Sequence, residues 1–195
     1  MVSGPLVFNS WEALVFWGVF IWAFFPEIRL LARSVRAPSE SQDAGTARLI
    51  FVVNSVTILT AFTASYLPWF KIPHPHVAFY VGLGLLIKGS LVRRWCWRVL
   101  GRYFTAAVTV SAGQPIVDRG PYRWVRHPSY TGGIVMLLGV GIALGNWVSV
   151  ALLLIEPCFI YSYRVRVEEK ALLATLGEPY RAYIARTKRF IPFVT

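Results

Sequence analysis

YTGGIVMLLGVGIALGNWVSVALLLIEPCFIYSY fills residues 130–163 and decides the fold. Two apolar runs, 130–146 and 148–163, meet at Gly145-Asn146-Trp147, a turn with a Trp at its tip. Each run is close to the roughly 17–25 residues that a helix needs to cross a bilayer. With so short a connection they must fold back as a tight helical hairpin. Gly132, Gly133, Gly139, Gly141 and Gly145 run through it, the last two at GxxxG spacing. Small residues of this kind let membrane helices approach closely, so packing explains them without a ligand.

Upstream, three further apolar runs cover residues 10–25, 49–69 and 77–92. The expected fold is all-α: a polytopic membrane protein with about five transmembrane helices. Composition agrees. The chain is 56% hydrophobic and only 15% charged, with eight Trp, nine Tyr and thirteen Phe. Soluble domains carry about 25% charged residues. Residues 1–195 read as a single membrane domain, with three N-terminal spans in 1–93 and a ligand-binding region in 94–195. The N-terminus has neither the basic region nor the cleavage site of a signal peptide, so the first run is expected to be a retained helix.

The net charge of +11 accompanies long apolar runs, which argues against nucleic acid as a partner and for membrane lipids. Eighteen of the twenty basic residues fall on one side of the expected spans; only Lys71 and Lys88 lie elsewhere. The positive-inside rule then places the N-terminus outside and the C-terminus in the cytoplasm. Cys96 and Cys158 have no metal or redox spacing and are expected to be reduced. Residues 38–45 read as a loop. Residues 93–126, punctuated by Gly and Pro, read as a compact interfacial segment.

Three features carry possible chemistry. GPYRWVRHPSY, residues 120–130, gathers Arg, His and Tyr side chains at the mouth of the fourth helix. Pro128 suits its first turn, and free N–H groups there, with Arg126 and His127, would form an anion site. An interfacial Arg/Tyr/Trp anchor is the plainer reading. YSYRVRVEEK, residues 161–170, extends the fifth helix and places Arg164 and Glu168 on one face. The plainer reading is a helix-surface ion pair. Glu156, followed by Pro157, is an ionisable group in mid-span, a functional candidate by default. It could instead pair with Lys88 or stay protonated. Glu12, nearer a helix end, is expected to snorkel. His74 and His76 offer no third metal ligand.

GPYRWVRHPSYTGG, then an apolar hairpin, then RVRVEEKALLATLGEPYRAYIARTKRFIPF resembles the isoprenylcysteine carboxyl methyltransferase family, a broad group that includes phospholipid methyltransferases and prokaryotic members. The resemblance covers residues 114–193. It implies an integral membrane methyltransferase with S-adenosylmethionine as cofactor, held in a cytoplasm-facing pocket. By position it implies cofactor contacts at Gln114, Pro115, Ile116 and Val117, at Tyr122, His127, Pro128, Ser129 and Tyr130, and at Glu168. Arg164 matches the position associated with substrate. Physically, Glu168 would suit an ammonium, His127 a carboxylate, and the tyrosines an adenine or sulfonium. Ala106, Ala107 and Val108 stand where a further polar cofactor contact is expected.

The implied reaction is methyl transfer to a carboxylate, thiol or amine of a lipophilic or small hydrophobic acceptor, at the cytoplasmic face of what is expected to be a prokaryotic cytoplasmic membrane. A nicotinamide-dependent membrane reductase of the sterol-reductase type and a non-catalytic scaffold are the competing readings.

Overall fold

In a computed structural model, residues 4–8, 10–36, 46–105, 110 and 113–190 are described. Residues 38–45, the stretch Ala106, Ala107 and Val108, and the terminal Ile191, Pro192 and Phe193 lie outside them. The described residues form six α-helices and no strand: α1 Ser10–Arg36, α2 Thr46–Ala64, α3 Pro75–Leu100, α4 Pro128–Ala143, α5 Trp147–Leu176 and α6 Glu178–Arg186. Helices are the expected solution for an apolar chain, because each satisfies its own backbone.

Four helical stretches are long and apolar enough to cross a membrane: Trp11–Leu30, Ala47–Ala64, Pro75–Tyr103 and Trp147–Leu176. The chain is an integral membrane protein. The expected fourth span is the exception. At sixteen residues, α4 is about 24 Å long, short of a roughly 30 Å hydrocarbon core. It is also the most enclosed helix, packed on α3 and α5. The other helices outrun the apolar runs. α1 continues through Pro26 to Arg36, α3 continues past Val92 to Leu100, and α5 carries Pro157 without ending and reaches Leu176.

The hairpin forms as expected. Pro128 opens α4, and Gly145 turns the chain at φ +68. Asn146 caps α5, its side-chain oxygen accepting from the N–H groups of Val148 (2.9 Å) and Ser149 (3.4 Å). Asn146 Nδ2 also donates to the Leu67 carbonyl at 3.0 Å, tying the hairpin to the α2–α3 connection. The GxxxG reading needs correction. Gly145 is in the turn with nothing near it, while a Cβ on Gly141 would lie 2.8 Å from Val150 Cα. The tightest seam is α3 against α4, where a Cβ on Gly82 would lie 2.3 Å from the Ala143 nitrogen and one on Gly139 2.5 Å from that of Leu86.

α1 and α2 join this frame through aromatic packing. Trp17 and Phe62 stack with centroids 5.3 Å apart, and Phe16 is fully buried beside them. Outward faces stay apolar, as at Leu14 (78% exposed) and Phe159 (75%), which suits lipid contact. Glu12 does not snorkel: it is buried, 3.7 Å from His76 Nδ1. Both cysteines are free, Cys96 buried and Cys158 exposed. Among the described residues no three side chains are grouped to hold a metal.

Candidate functional site

The site is built where the long α5 leaves the apolar layer. One turn after Tyr161, α5 presents Arg164, then Glu168 and Glu169 (YRVRVEE). Facing it is the start of α4. Tyr130 Oη donates to Glu168 Oε2 at 3.0 Å and accepts from Arg164 Nε at 3.3 Å. Two of the expected residues, on different helices from the third, thus converge through one phenol. Arg164 is buried, while the Glu168 side chain keeps 31% of its exposure.

The adjacent carboxylate has a different fate. Glu169 is buried and accepts from Arg126 Nε at 2.9 Å and Arg189 Nη2 at 2.6 Å, with His127 Nε2 at 3.2 Å. Arg126 further donates to the carbonyls of Ile184 (3.2 Å) and Thr187 (2.5 Å). Backbone bonds close the clasp: Arg126 N to Lys188 O (2.8 Å), His127 N to Arg189 O (3.1 Å) and Lys188 N to Trp124 O (3.0 Å). The anion site expected from Arg126 and His127 is therefore not formed. Both side chains turn onto Glu169, and His127 is also 3.9 Å from Glu168. A buried carboxylate needs its partners, and the nearest cations supply them.

This clasp holds α6 over a cavity of about 650 Å³. Gln114, Pro115, Ile116 and Val117 line one edge, Tyr122, His127, Ser129 and Tyr130 another, and Arg164 and Glu168 a third. Ten of the eleven expected residues thus share one cavity. Pro128 does not line it; it is buried at the first turn of α4 and sets the direction of its neighbours. Tyr180 and Tyr183 of α6 complete the lining, and Tyr183 Oη donates to the Tyr122 carbonyl at 2.7 Å. Burial pushes the Tyr183 phenol up to about 12, and burial first, then the neighbouring Cys96 and Glu168, raises Tyr122 further. Burial likewise raises Tyr180. These rings stay neutral at physiological pH and offer π faces and hydroxyls rather than charge.

Sequence reasoning missed Arg93 and Glu27. Arg93 grips Glu27 with two nitrogens, both at 2.5 Å, and donates to Ser129 at its carbonyl (2.9 Å) and Oγ (3.1 Å). It fixes α1 and the start of α4 to α3, and it lines the cavity with Glu27. The signal was that both helices continue beyond their apolar runs, which makes an acid and a base near their ends meet. Nor does Glu156 pair with Lys88, which is exposed on α3. Glu156 faces α2, where the Asn54 amide, oriented by its partners, donates to its carboxylate at 2.9 and 3.0 Å and accepts from Tyr161 Oη at 3.2 Å.

From the polar end the cavity continues between α1, α2, α4 and α5 as an apolar arm lined by Phe20, Phe24, Ile28, Ile58, Met136 and Leu137. One space thus joins a carboxylate, a buried guanidinium and phenols to a hydrocarbon-like channel.

Known proteins resemble this chain in sequence and in fold. Residues 82–174 match the family described as the Isoprenylcysteine carboxyl methyltransferase (ICMT) family. A Schizosaccharomyces pombe protein-S-isoprenylcysteine O-methyltransferase is 32% identical over 109 residues, 49% of this chain and 46% of its own length. The Saccharomyces cerevisiae enzyme of the same name is 28% identical over 167 residues, 82% and 70%. A Bacillus subtilis protein, YpbQ, described as uncharacterized, is 31% identical over 96 residues, 49% and 57%. The chain thus spans about half the length of the first and third of these relatives. In fold it is similar to the eukaryotic intramembrane Ras methyltransferase ICMT, with a TM-score of 0.67 and 24% identity over 100% of this chain and 70% of that one. The family match runs from Gly82 in α3 to Ala174 in α5 and takes in the RHPSY and Glu-Glu motifs. In that match, and in the fold around it, the chain is similar to the isoprenylcysteine carboxyl methyltransferase family.

Proposed function

We propose that this protein transfers a methyl group from S-adenosylmethionine to a carboxylate on a lipophilic acceptor, at the cytoplasmic face of the membrane. The observation that carries the reading is the single cavity with Glu168 and Arg164 at its polar end and an apolar arm between α1 and α2. A cofactor with a cation and an aromatic base suits the first part; an acceptor with an apolar chain suits the second. The names of the relatives point the same way.

The donor set fits the cofactor. Glu168 is the cavity's accessible carboxylate near Tyr130 and would hold the ammonium group. Tyr122, Tyr180 and Tyr183 give neutral aromatic surface for the adenine and the sulfonium. Residues 114–117 would border the base. His127, turned to Glu168 and Glu169, acts by fixing those carboxylates rather than by binding an anion. When bound, S-adenosylmethionine supplies an electrophilic methyl carbon; its C–S bond breaks as the acceptor's C–O bond forms, and the sulfur keeps the electron pair.

In-line displacement needs alignment and exclusion of water rather than proton transfer. Arg164, buried and braced by Tyr130, would orient the acceptor carboxylate beside the cofactor. A guanidinium suits this task, because its planar donors match a carboxylate. The clasp on Glu169 would keep α6 closed over the reacting groups. The orientation follows from the arginine-rich segments that flank the polar end.

The test is titration of purified, detergent-solubilised protein with S-adenosylmethionine and, separately, with a reduced nicotinamide cofactor. Saturable binding of the first alone is expected. Binding of the second alone would transfer the protein to the reductases, and binding of neither by folded protein would leave a scaffold.

A further inference from the structure

Besides the Arg93–Glu27 pair, a second polar feature interrupts the apolar arm. Asn54 on α2 and Tyr161 on α5 both line it, between the phenylalanines of α1 and the start of α4. Neighbouring polar residues of α2 return their hydroxyls to their own helix: Ser55 to the Phe51 carbonyl (2.7 Å), Thr60 to Val56 (2.9 Å) and Thr63 to Thr60 (2.8 Å). Asn54 instead reaches across to α5. Its amide donates to Glu156 Oε1 and Oε2 at 2.9 and 3.0 Å, and its oxygen accepts from Tyr161 Oη at 3.2 Å. This orientation of the amide is assigned from its partners, because the reverse would set the amide carbonyl against the carboxylate.

The hydrogen-bonding capacity of this triad is lopsided. An amide nitrogen has two donors and a phenol one, and all three are taken within the triad. What remains toward the cavity are lone pairs, on the Asn54 oxygen and on Tyr161 Oη. Glu156 lies behind Asn54, on a separate groove of about 410 Å³ open between α2 and α5. Its two oxygens are capped by the amide, so at Asn54 the arm meets a neutral acceptor and not the Glu156 carboxylate. Simple helix association does not need a carboxylate here, since neutral polar pairs link membrane helices well. An ionisable group in this layer is costly, which argues that the fixed orientation of Asn54 is what it serves. The seam also has room for the phenol. A Cβ on Gly133 would lie 3.2 Å from Tyr161 Oη, so a larger residue would displace it.

From this accounting we infer that Asn54 and Tyr161 are a specificity subsite for an acceptor that carries a hydroxyl on its apolar chain, with Glu156 as the positioning residue. The inference rests on the reading of the arm as the acceptor's place. Asn54 and Glu27 precede Gly82 and lie outside the family-matched region, whereas Tyr161 lies within it. Tyr161 is one turn from Arg164, a rise of about 4.5 Å along α5. The hydroxyl therefore falls a few bonds from the carboxylate that Arg164 would orient.

The probes are long-chain S-alkyl thioacetic acids that carry, at successive positions near the carboxylate, a hydroxyl, a methyl ether or hydrogen. Their binding to the detergent-solubilised full chain is measured by calorimetry, with and without S-adenosylmethionine, and methyl ester formation is followed separately. At one position the hydroxyl compound is expected to bind roughly fivefold to tenfold tighter than both the ether and the hydrogen compound. Preference for the ether as well would indicate mere polarity and overturn the inference, as would equal binding of all three at every position or binding of none.

Asn54→Leu is expected to erase the preference while affinity for the hydrogen compound stays within about twofold and cofactor affinity is unchanged. Retention of the preference in that variant overturns the inference. Glu156→Leu, which frees the amide, should weaken the preference for the hydroxyl compound in binding, and an unchanged preference would remove Glu156 as its positioning residue. The wild-type comparison of the three probes needs no variant. Preferred binding of the hydroxyl compound without ester formation would support the subsite and sink the methyltransferase reading.

Discussion

The two ends of the cavity are built by different means. At the polar end, backbone and charge fix almost everything. Two arginines and a histidine meet on Glu169, three backbone hydrogen bonds bridge 124–127 to 188–189, and Tyr183 closes onto Tyr122. The apolar arm is bounded mainly by side chains of α1 and α2, with Arg93–Glu27 and the Asn54–Glu156 contact as its polar ties. The family match takes in α4 and the Glu168–Glu169 turn of α5 at the first end, and it includes neither α1 and α2 nor α6. A rigid end preserves the geometry of the reaction, while an end lined with exchangeable apolar side chains lets the acceptor change without disturbing it. The fold can then be kept while the lining of the arm changes.

Breaking the polar end should have the largest effect. Glu169→Ala leaves Arg126, His127 and Arg189 facing one another around a buried hole. Removing one partner of a buried ion pair costs about 3–5 kcal/mol. The variant should melt well below wild type in detergent and lose cofactor binding with it. A variant that melts like wild type would mean that the clasp is decorative. Glu168→Ala tests the other carboxylate. It is partly exposed and braces little, so melting should be close to wild type while S-adenosylmethionine affinity falls by roughly a hundredfold, as for a lost charge-assisted contact with a group left unpaired. Full activity in this variant would remove the proposed ammonium contact. Together the two neighbours sharpen the comparison: one substitution should unfold, the other only empty the site.

Arg164→Ala reaches the junction of the two ends. Cofactor affinity should stay near wild type, with kcat/KM for a carboxylate acceptor lowered by roughly ten- to a hundredfold, the size expected for a lost charged hydrogen bond. If cofactor affinity falls instead, Arg164 belongs to the polar end and the acceptor carboxylate is oriented by another group.

Much of the polar end was legible from the chain. RHPSY and EE are local, and helical spacing alone sets Arg164 and Glu168 on one face. The division of labour between Glu168 and Glu169 was not, because successive residues on a helix point about 100° apart and only the fold shows which direction holds the tail. The anion site failed for the same reason: residues 187–189 come back to Arg126 and His127 over some sixty positions. In the membrane layer, hydropathy found each helix but not where it ends. α1 and α3 run on as charged helices, so Glu27 and Arg93 were read as loop and flank rather than as a bidentate pair. Hydropathy also measures apolar length, not enclosure, and α4 is apolar because it is buried between helices. Glu156 was recognised as anomalous, yet its partner is on a helix whose rotation no periodicity revealed, since α2 is apolar nearly all round.

The smallest effect belongs to Arg186, which donates to Asp118 at 2.8 Å with both side chains more than half exposed. The pair links α6 to the segment that borders the cavity, so it has the position of a latch. Exposed ion pairs contribute about 0–1 kcal/mol, because water and salt screen them and two long side chains must be ordered. If the clasp on Glu169 already fixes α6, Arg186→Ala should leave the melting temperature and cofactor affinity nearly unchanged, and raising the salt concentration should have no more effect on the wild type. A large, salt-sensitive loss of cofactor affinity would mean that α6 opens about this contact, and that the polar end is less rigid than its buried bonds imply.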